Sequence, residues 1–290
     1  MKLAGILSGR VAFVTGAAQG QGRSHAVRLA EEGADVIAVD ICAQIESATH
    51  TMSTPSDLEE TARLISDLGR RVVTRIVDVR DRTALVEAAR AGHEEFGRID
   101  IVVANAGICP IGPDVPPVGF LDTISVDLVG VINTVEAAFP YLKAGGSIIC
   151  TGSMASLISG LLTNTSAGPG AAGYAHAKQG VARFVHDAAR QLAPLSIRVN
   201  AVHPGNIETA MLHNDAMYKL FRPDLPNPTR EDVEPAFGQA HQLPVNTIDP
   251  RDVSEAVLYL ASDAARYVTG QQLKVDAGAL LTSTTSGAPG

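Results

Sequence analysis

The sequence predicts one α/β domain over residues 1–290, with a seven-stranded, doubly wound parallel sheet and helices on both of its faces. Patterns typical of strands and of helices alternate from Arg10 onward, as in a parallel sheet covered by helices. The strand patterns are short continuous runs rich in Val and Ile, which is typical of strands buried on both faces. Seven such runs fit one domain, although the length alone would also allow two small ones.

Each predicted strand except the last is followed by one helical pattern. The strands cover residues 11–15, 35–40, 72–78, 99–104, 147–150, 197–202 and 272–275. The helices cover residues 22–32, 55–68, 82–96, 120–142, 175–193 and 250–261. Pro55 after Thr54 and Pro250 after Asp249 are favourable helix starts, because proline suits the first turn and Thr or Asp suits the cap.

Two of the predicted helices are apolar over more than one narrow stripe. The apolar positions are Leu121, Ile124, Leu128, Val131, Val135 and Phe139 in the first, and Val181, Phe184, Val185, Ala188 and Leu192 in the second. A helix covered by its sheet alone needs one stripe. The surplus predicts an interface between copies of the chain, with a thick core as the alternative.

The composition argues against several classes of protein. Hydrophobic residues make up 46% and charged residues 19% of the chain, which suits a buried globular core rather than disorder. The net charge of -8 argues against a nucleic-acid surface. No apolar run reaches the roughly 18 residues that span a bilayer, and residues 1–9 do not resemble a secretory signal. Cys42, Cys109 and Cys150 lack metal-ligand spacing and predict reduced thiols, no metal site and a cytoplasmic location.

The turn after the first strand has the spacing of a dinucleotide-binding turn. Gly16, Gly20 and Gly22 permit a tight turn and let the backbone approach a pyrophosphate, whose charge faces the N–H groups of the next helix. Asp40 ends the second strand, where it is placed to accept hydrogen bonds from the adenosine ribose and to repel a 2′-phosphate. These features predict NAD rather than NADP, with a turn cap as the alternative role of Asp40.

Two stretches interrupt the alternation of strands and helices. Residues 41–54 form a polar insertion that begins directly after Asp40, so we expect it to lie over the cofactor and slow its release. Its Ser and Thr residues would equally suit a mobile surface loop. Residues 206–245 form a long, proline-punctuated and aromatic loop, and loops of this length are usually functional or disordered. We expect this second segment to be a lid over the substrate, and the tail at 282–290 to be loose.

Tyr174 and Lys178 lie four residues apart in a predicted helix. At that spacing, side chains share one face, with Cβ atoms about 5 to 6 Å apart. An ammonium beside a phenol favours phenolate and lowers the pKa of the tyrosine, which then can act as a general acid or base. Taken alone, the pair would also suit an ordinary helix surface.

These motifs, in this order, resemble those of the short-chain dehydrogenase/reductase family. The resembling segments are the turn at 15–22, Asn105-Ala106-Gly107, and Tyr174 with Lys178. The resemblance implies a Rossmann domain that moves hydride between a nicotinamide and an alcohol or carbonyl. It implies that Tyr174 exchanges the hydroxyl proton, that Lys178 lowers its pKa and bonds the nicotinamide ribose, and that Ser153 holds the substrate oxygen.

The resemblance also implies a set of cofactor contacts, most of them at strand C-termini, where open parallel sheets bind ligands. The implied residues are Gly16, Ala18, Gln19, Gly20, Gln21, Gly22, Asp40, Ile41, Asp78, Val79, Asn105, Ala106, Gly107, Tyr174, Lys178, Pro204, Gly205, Ile207 and Thr209. One position departs from the family, because Asp127 stands where it usually has an asparagine that supports a proton path to the lysine. An ionised Asp127 would pull the pKa of Lys178 upward.

Further stretches resemble a narrower subfamily, the mycofactocin-dependent, carveol dehydrogenase-like enzymes. They are the segments at 20–25, 39–42, 203–204, 211–214 and 220–224, together with the insertion that reaches Pro55. This resemblance implies a homotetramer that oxidises a secondary alcohol, with NAD held tightly and reoxidised in place by mycofactocin.

Leu157, Ile158, Leu161, Leu162 and the lid at 211–221 predict an apolar pocket, and hence a hydrophobic alcohol or ketone as substrate. One alternative is a 3-oxoacyl-thioester reductase, which would normally favour NADPH. The other is a non-catalytic dinucleotide-binding protein.

Overall fold

The computed structural model describes residues 5–157 and 166–281, and the predicted seven-stranded sheet is confirmed. The strands are β1 (Val11–Thr15), β2 (Asp35–Asp40), β3 (Val72–Ile76), β4 (Ile101–Ala104), β5 (Ser147–Thr151), β6 (Arg198–Pro204) and β7 (Gln272–Val275). Their order across the sheet is 3-2-1-4-5-6-7, and every pair is parallel. The strand order reverses between β1 and β4, so the sheet opens a crevice at the carboxyl ends of these two strands, where such folds bind ligands.

The helices cover both faces of the sheet. Among the described residues they are α1 (Gly20–Glu31), α2 (Pro55–Asp67), α3 (Arg82–Phe96), α4 (Val118–Ile124), α5 (Gly130–Ala138), α6 (Gly168–Leu192), α7 (Asp215–Phe221), α8 (Arg230–Gln239) and α9 (Pro250–Ala261). Successive side chains of a strand point to opposite faces. Phe13 of β1 therefore joins the core with α3, α5 and α6, while Ala12 and Val14 join the core with α1, α2 and α9.

The helix predicted over residues 120–142 is not continuous. It consists of α4, a π-helical turn at Ser125–Val129, α5 and a short 3₁₀ turn at Phe139–Tyr141. Within the π turn, the N–H of Gly130 donates to the carbonyl of Ser125. Such turns widen a helix locally and are frequent at functional sites.

The apolar stretch Val118–Tyr141 is also long enough to cross a membrane by length and composition alone, the one such helix in the described part of the chain. Half of its most apolar window is buried inside the fold, and core helices of soluble proteins meet the same criterion. It is therefore weak evidence for a membrane segment.

The segment predicted as a long loop at 206–245 contains two helices. Asn214 caps α7 by accepting a hydrogen bond from the N–H of Met217. Thr229 and Asp232 form a capping box at the start of α8, a signal that the printed sequence carries. Pro235 lies inside α8, and prolines of this kind favoured the loop assignment. The predicted helix at 175–193 likewise begins earlier, at Gly168.

Candidate active site

The predicted site residues line two adjoining cavities at the carboxyl edge of the sheet. The first cavity is lined by Gly16, Gln19, Gly20, Gln21, Gly22, Asp40, Ile41, Asp78, Val79, Asn105, Ala106, Gly107 and Thr209. The second is lined by Asp127, Ser153, Tyr174, Lys178, Pro204, Gly205 and Ile207. Gln21, Asn105, Gly107 and Thr209 border both. Ala18 lines neither cavity, and its N–H is bonded to Asp40 instead.

The glycine turn of the first cavity needs glycine for two separate reasons. Gly16 and Gly20 have φ values of 68° and 53°, in the left-handed region that glycine tolerates without steric cost. At Gly22 a Cβ would lie 1.9 Å from the carbonyl oxygen of Gly16, so only glycine fits there. The turn leads into the N-terminus of α1, and within the described part of the chain its cap residue, Gln19, makes no side-chain capping bond. The helix N–H groups are thus available to an anionic ligand such as a pyrophosphate.

The carboxylate of Asp40 is buried and already accepts three hydrogen bonds from the chain. Its Oδ2 accepts from the N–H of Ala18 at 3.0 Å, and its Oδ1 accepts from the N–H of Cys42 at 3.0 Å and from Ser53 Oγ at 2.5 Å. The Cys42 side chain makes a further hydrogen bond with Asp40, so a ribose hydroxyl would share the carboxylate with these donors. The chain therefore holds the carboxylate in one orientation, with its negative charge facing the cavity.

The insertion at 41–54 is tied to the rest of the fold. Gln44 Nε2 lies 3.2 Å from the carbonyl oxygens of Ile45, Ala48 and His50, and Gln44 Oε1 accepts from the N–H of Met52. The Ser and Thr residues that would suit a mobile loop also form hydrogen bonds. The pairs are Ser47 with Asp122, Thr49 with the N–H of Ile111, the Thr51 carbonyl with Gln19, Ser53 with Asp40, and Thr54 with Asp57. The insertion is a folded wall of the cavity.

Four cavity-lining residues of this insertion were missed by the sequence predictions. They are Ile45, His50, Met52 and Ser53. His50 is buried, and its Nδ1 has no hydrogen-bond partner among the residues that the structure describes. Burial lowers the pKa of His50. The sequence carries no signal for these contacts, because they depend on how an irregular segment folds back onto β2.

Hydrogen bonds and an ion pair fix the position of Lys178 in the wall of the second cavity. Its Nζ donates to the carbonyl of Thr151 at 2.9 Å and forms an ion pair with Asp127 Oδ2 at 3.1 Å. Asp127 lies on the π turn and accepts the N–H of Ile108 with its other oxygen at 2.9 Å. Nζ lies 5.6 Å from the centroid of the Tyr174 ring. The lysine charge thus faces the carboxylate more closely than it faces the phenol ring.

The predicted lowering of the Tyr174 pKa is wrong for this arrangement of side chains. Burial raises the pKa of Tyr174, the nearby Cys109 and Asp127 raise it further, and a side-chain hydrogen bond with Ser153 opposes the shift. Burial also raises the pKa of Asp127, with Lys178 opposing that shift. The physical reason is that the phenol is taken out of water while the lysine charge is offset by its partner carboxylate.

Ser153 follows β5 and begins a short 3₁₀ turn at Met154–Ser156. Its Oγ accepts a hydrogen bond from the N–H of Ala155 at 3.1 Å. One lone pair of the hydroxyl is used in this way, and the Ser153 side chain also forms a hydrogen bond with Tyr174. β5 and α6 thus bring Ser153 and Tyr174 together from positions 21 residues apart in the sequence.

The second cavity has a volume of about 370 Å³ and largely apolar walls. The lid segment contributes Met211, Leu212, Met217, Leu220 and Phe221 to these walls. The lid is held by a polar cluster at its base, in which Glu208 contacts His213 at 3.0 Å and Arg230 at 2.5 Å. Leu157, predicted as a wall residue, is exposed and lines neither cavity, and Ile158, Leu161, Leu162 and the tail at 282–290 lie outside the described residues.

Within residues 5–157 and 166–281, no group of three or more His, Cys, Asp or Glu side chains is placed to hold a metal ion.

Comparison with known proteins gives relatives over nearly the whole chain. A family model described as enoyl-(acyl carrier protein) reductase matches residues 16–279. The (-)-trans-carveol dehydrogenase of Rhodococcus erythropolis is 41% identical, over 95% of this chain and 99% of that protein. A crystal structure of carveol dehydrogenase from Mycobacterium avium in complex with NAD is 48% identical, with a TM-score of 0.89 over 96% of this chain and 99% of that one. A short chain dehydrogenase from Mycobacterium paratuberculosis bound to NAD is 37% identical, with a TM-score of 0.83 over 96% of this chain and 100% of that one.

Proposed function

The chain belongs to the short-chain dehydrogenase/reductase family, in its carveol dehydrogenase-like subfamily, and from that premise we propose that it is an NAD-dependent alcohol dehydrogenase. Its proposed substrates are hydrophobic secondary alcohols, such as carveol or other cyclic alcohols, and their ketones. The observation that carries this proposal is the position of Ser153, Tyr174 and Lys178 in a largely apolar cavity that adjoins the glycine-turn cavity.

The chain supplies two groups that would act directly on the substrate oxygen. Ser153 donates a hydrogen bond to that oxygen, where negative charge develops. Tyr174 exchanges a proton with it as general acid or base. NAD, when bound, supplies or accepts the hydride.

Burial, and then the nearby Cys109 and Asp127, raise the pKa of that phenol. The raised pKa of Tyr174 keeps the phenol protonated at neutral pH, which suits donation to a ketone. Oxidation of an alcohol requires the phenol to lose its proton. The positive charge of Lys178 favours that loss, but the negative charge of Asp127, its ion-pair partner, offsets part of this effect. We therefore propose that Asp127 biases the site towards reduction.

The proposed function is tested by supplying NAD and a panel of alcohols to the purified protein, with a redox dye present to reoxidise bound cofactor. Reduction of nicotinamide or dye with hydrophobic cyclic alcohols is expected. Activity confined to 3-oxoacyl thioesters with NADPH would favour a reductase of the same family. Binding of NAD without turnover of any substrate would favour a non-catalytic dinucleotide-binding protein.

Cofactor choice is expected to depend on the Asp40 charge. Asp40→Ala should reduce the preference for NAD over NADP by about tenfold or more. The Asp40 carboxylate and the 2′-phosphate of NADP, if in contact, would repel each other by a few kcal/mol even at an effective dielectric constant near 20. Ser53→Ala is the control, since it removes one hydrogen bond to Asp40 and leaves the charge in place. The Kd for each cofactor is the measurement. Equal binding of NAD and NADP by the unaltered protein would contradict this role.

We further propose that NAD stays bound between turnovers and is reoxidised in place by an external carrier, mycofactocin. This is supported by the insertion at 41–54, which begins beside Asp40 and is fastened through Gln44 and Ser47 to itself and to α4. A fastened wall has to open before the cofactor leaves, which slows its release.

Retention of the cofactor can be measured directly. The unaltered protein should keep NAD through desalting and reduce a dye with an alcohol, yet release little free NADH. Gln44→Ala removes the hydrogen bonds that close the insertion. Loss of even one of them, at roughly 1 kcal/mol, should speed NAD release by about fivefold or more. Glu46→Ala, an exposed position of the same insertion, is the matched control. Free NADH that accumulates in the unaltered protein as fast as the dye-linked turnover would show an ordinary exchanging dehydrogenase.

We also propose that the enzyme is a cytoplasmic homotetramer. Support comes from the surplus apolar residues on the α4–α5 segment, because Leu121, Val129 and Phe139 remain exposed in the single chain. Exposed apolar groups on one helical segment suit burial against another copy of the chain.

A further inference from the structure

We infer that His203 is a positioning residue for Ser153, held in that role by Gln272. The inference rests on the proposed function, in which Ser153 binds the substrate oxygen. His203 lies on β6, one residue before Pro204, and its side chain is fully buried. It points at the backbone of Ser153 rather than into the site.

Both ring nitrogens of His203 have partners. The N–H of Ser153 lies 3.1 Å from Nδ1, and Nε2 lies 2.6 Å from Gln272 Oε1. Gln272 Nε2 in turn donates to the carbonyl of Ala182 at 3.1 Å. Ala182 belongs to α6, the helix that carries Tyr174 and Lys178. A chain of three hydrogen bonds therefore joins the backbone of Ser153 to that helix.

The direction of each bond follows from the groups at the two ends. A carbonyl oxygen only accepts, so Gln272 must point its amide nitrogen at Ala182 and its oxygen at His203. That oxygen requires a proton on Nε2 of His203. In the neutral ring the other nitrogen, Nδ1, is then an acceptor, and the N–H of Ser153 can only donate. These three bonds agree with the Nε2–H tautomer of His203. The carbonyl oxygen of Ser153 also lies 3.0 Å from Nδ1 and would favour a proton there, so it is the Gln272 oxygen that places the proton on Nε2.

The ring also fixes Ser153 by contact. It packs so closely against Gly152 that a Cβ there would lie 2.4 to 3.0 Å from three of its ring atoms. Ser156 closes the other side, since its hydroxyl donates to the carbonyl of Ser153 at 2.6 Å and lies 3.1 Å from Nδ1 of His203. The backbone of Ser153 is thereby held on both its N–H and its carbonyl, which restricts the position of the attached hydroxyl.

Two substitutions at His203 separate positioning from packing. His203→Asn places an amide oxygen near the position of Nδ1 and keeps an acceptor for Ser153, whereas His203→Gln reaches Gln272 and leaves the N–H of Ser153 unpaired. His203→Gln should lower kcat about tenfold with little change in KM or in the Kd for NAD, and His203→Asn should keep kcat within about threefold. His25→Leu is the control, because His25 is equally buried and bonds Ser254 on α9, away from the site.

Equal losses of kcat in His203→Asn and His203→Gln would overturn the inference. The inference would also be overturned if the loss of kcat in His203→Asn, His203→Gln and His25→Leu were proportional to the decrease in Tm of each variant.

The tautomer can be measured without any substrate, which separates failure of this inference from failure of the proposed function. Nitrogen-15 NMR of histidine-labelled protein should show His203 as the Nε2–H tautomer, with its signal assigned by its loss in His203→Asn. In Gln272→Leu, which removes the acceptor for Nε2–H, the population of the other tautomer should increase. A charged ring or an Nδ1–H tautomer in the unaltered protein would contradict the network, whether or not the protein oxidises alcohols.

Discussion

Tyr174→Phe should lower kcat for alcohol oxidation by about 10²- to 10⁴-fold, because it removes the hydroxyl that we propose exchanges a proton with the substrate oxygen. The ring itself remains, so the packing of Tyr174 between the cavity and Lys178 is preserved. The variant should therefore stay folded and bind NAD as before. Dye-linked turnover at saturating alcohol is the measurement.

Tyr267→Phe is the matched control, since it also removes a phenol hydroxyl but at an exposed position on the chain surface. It should leave kcat unchanged. Turnover near the unaltered rate in folded, NAD-binding Tyr174→Phe would remove Tyr174 from the mechanism.

Asp127→Asn should shift the rising limb of the pH–rate profile for oxidation, on which the rate increases with pH, to lower pH. Burial is the main cause of the raised pKa of Tyr174, and the charge of Asp127 adds to it, so removing that charge makes the phenol easier to deprotonate. The same change frees the Lys178 ammonium from its counter-charge. A neighbouring charge commonly moves a pKa by one unit or more, so a shift on the order of one pH unit is expected, with a rate about tenfold higher below the midpoint.

The control for Asp127→Asn is Asp122→Asn on α4. Asp122 accepts a hydrogen bond from Ser47 and lies near Arg80, so it carries the same kind of charge on the same helical segment without an ion pair to Lys178. Its pH–rate profile should match that of the unaltered enzyme. If Asp127→Asn leaves the pH–rate profile unchanged or moves it towards higher pH, Asp127 does not raise the pKa of Tyr174.

The sheet was predictable because parallel strands buried on both faces leave a strong local signal. β1, β2 and β7 match their predicted bounds, and β3 and β5 differ only at their carboxyl ends. The lid is predicted as a loop because prolines punctuate it, whereas the structure has two short helices there, capped by Asn214 and by Thr229 with Asp232. Short helices depend on packing more than on propensity, and these two share a small core of Leu212, Val233 and Phe237.

In the candidate site, too, some residues could be located from the sequence and others could not. Residues at fixed offsets from strand ends, such as Gly16, Asp40 and Ser153, could be located from the sequence because strand ends of a parallel sheet converge. His50 and Met52 could not, since they reach the cavity through an irregular segment. The proton affinity of Tyr174 was predicted with the wrong sign, because a spacing of four residues says nothing about burial or about which partner Lys178 prefers.

The π turn at Ser125–Val129 makes this segment intolerant of changes in length. Each residue of an α-helix turns the chain by about 100°. Deleting one residue from the turn would give an ordinary helix, but it would rotate Asp127 relative to α5. Either the carboxylate would leave Lys178, or the buried face of α5 with Val131 and Val135 would leave the core. Homologues that lack one residue here should thus differ in how they supply a partner to the lysine, even where every other site residue is the same.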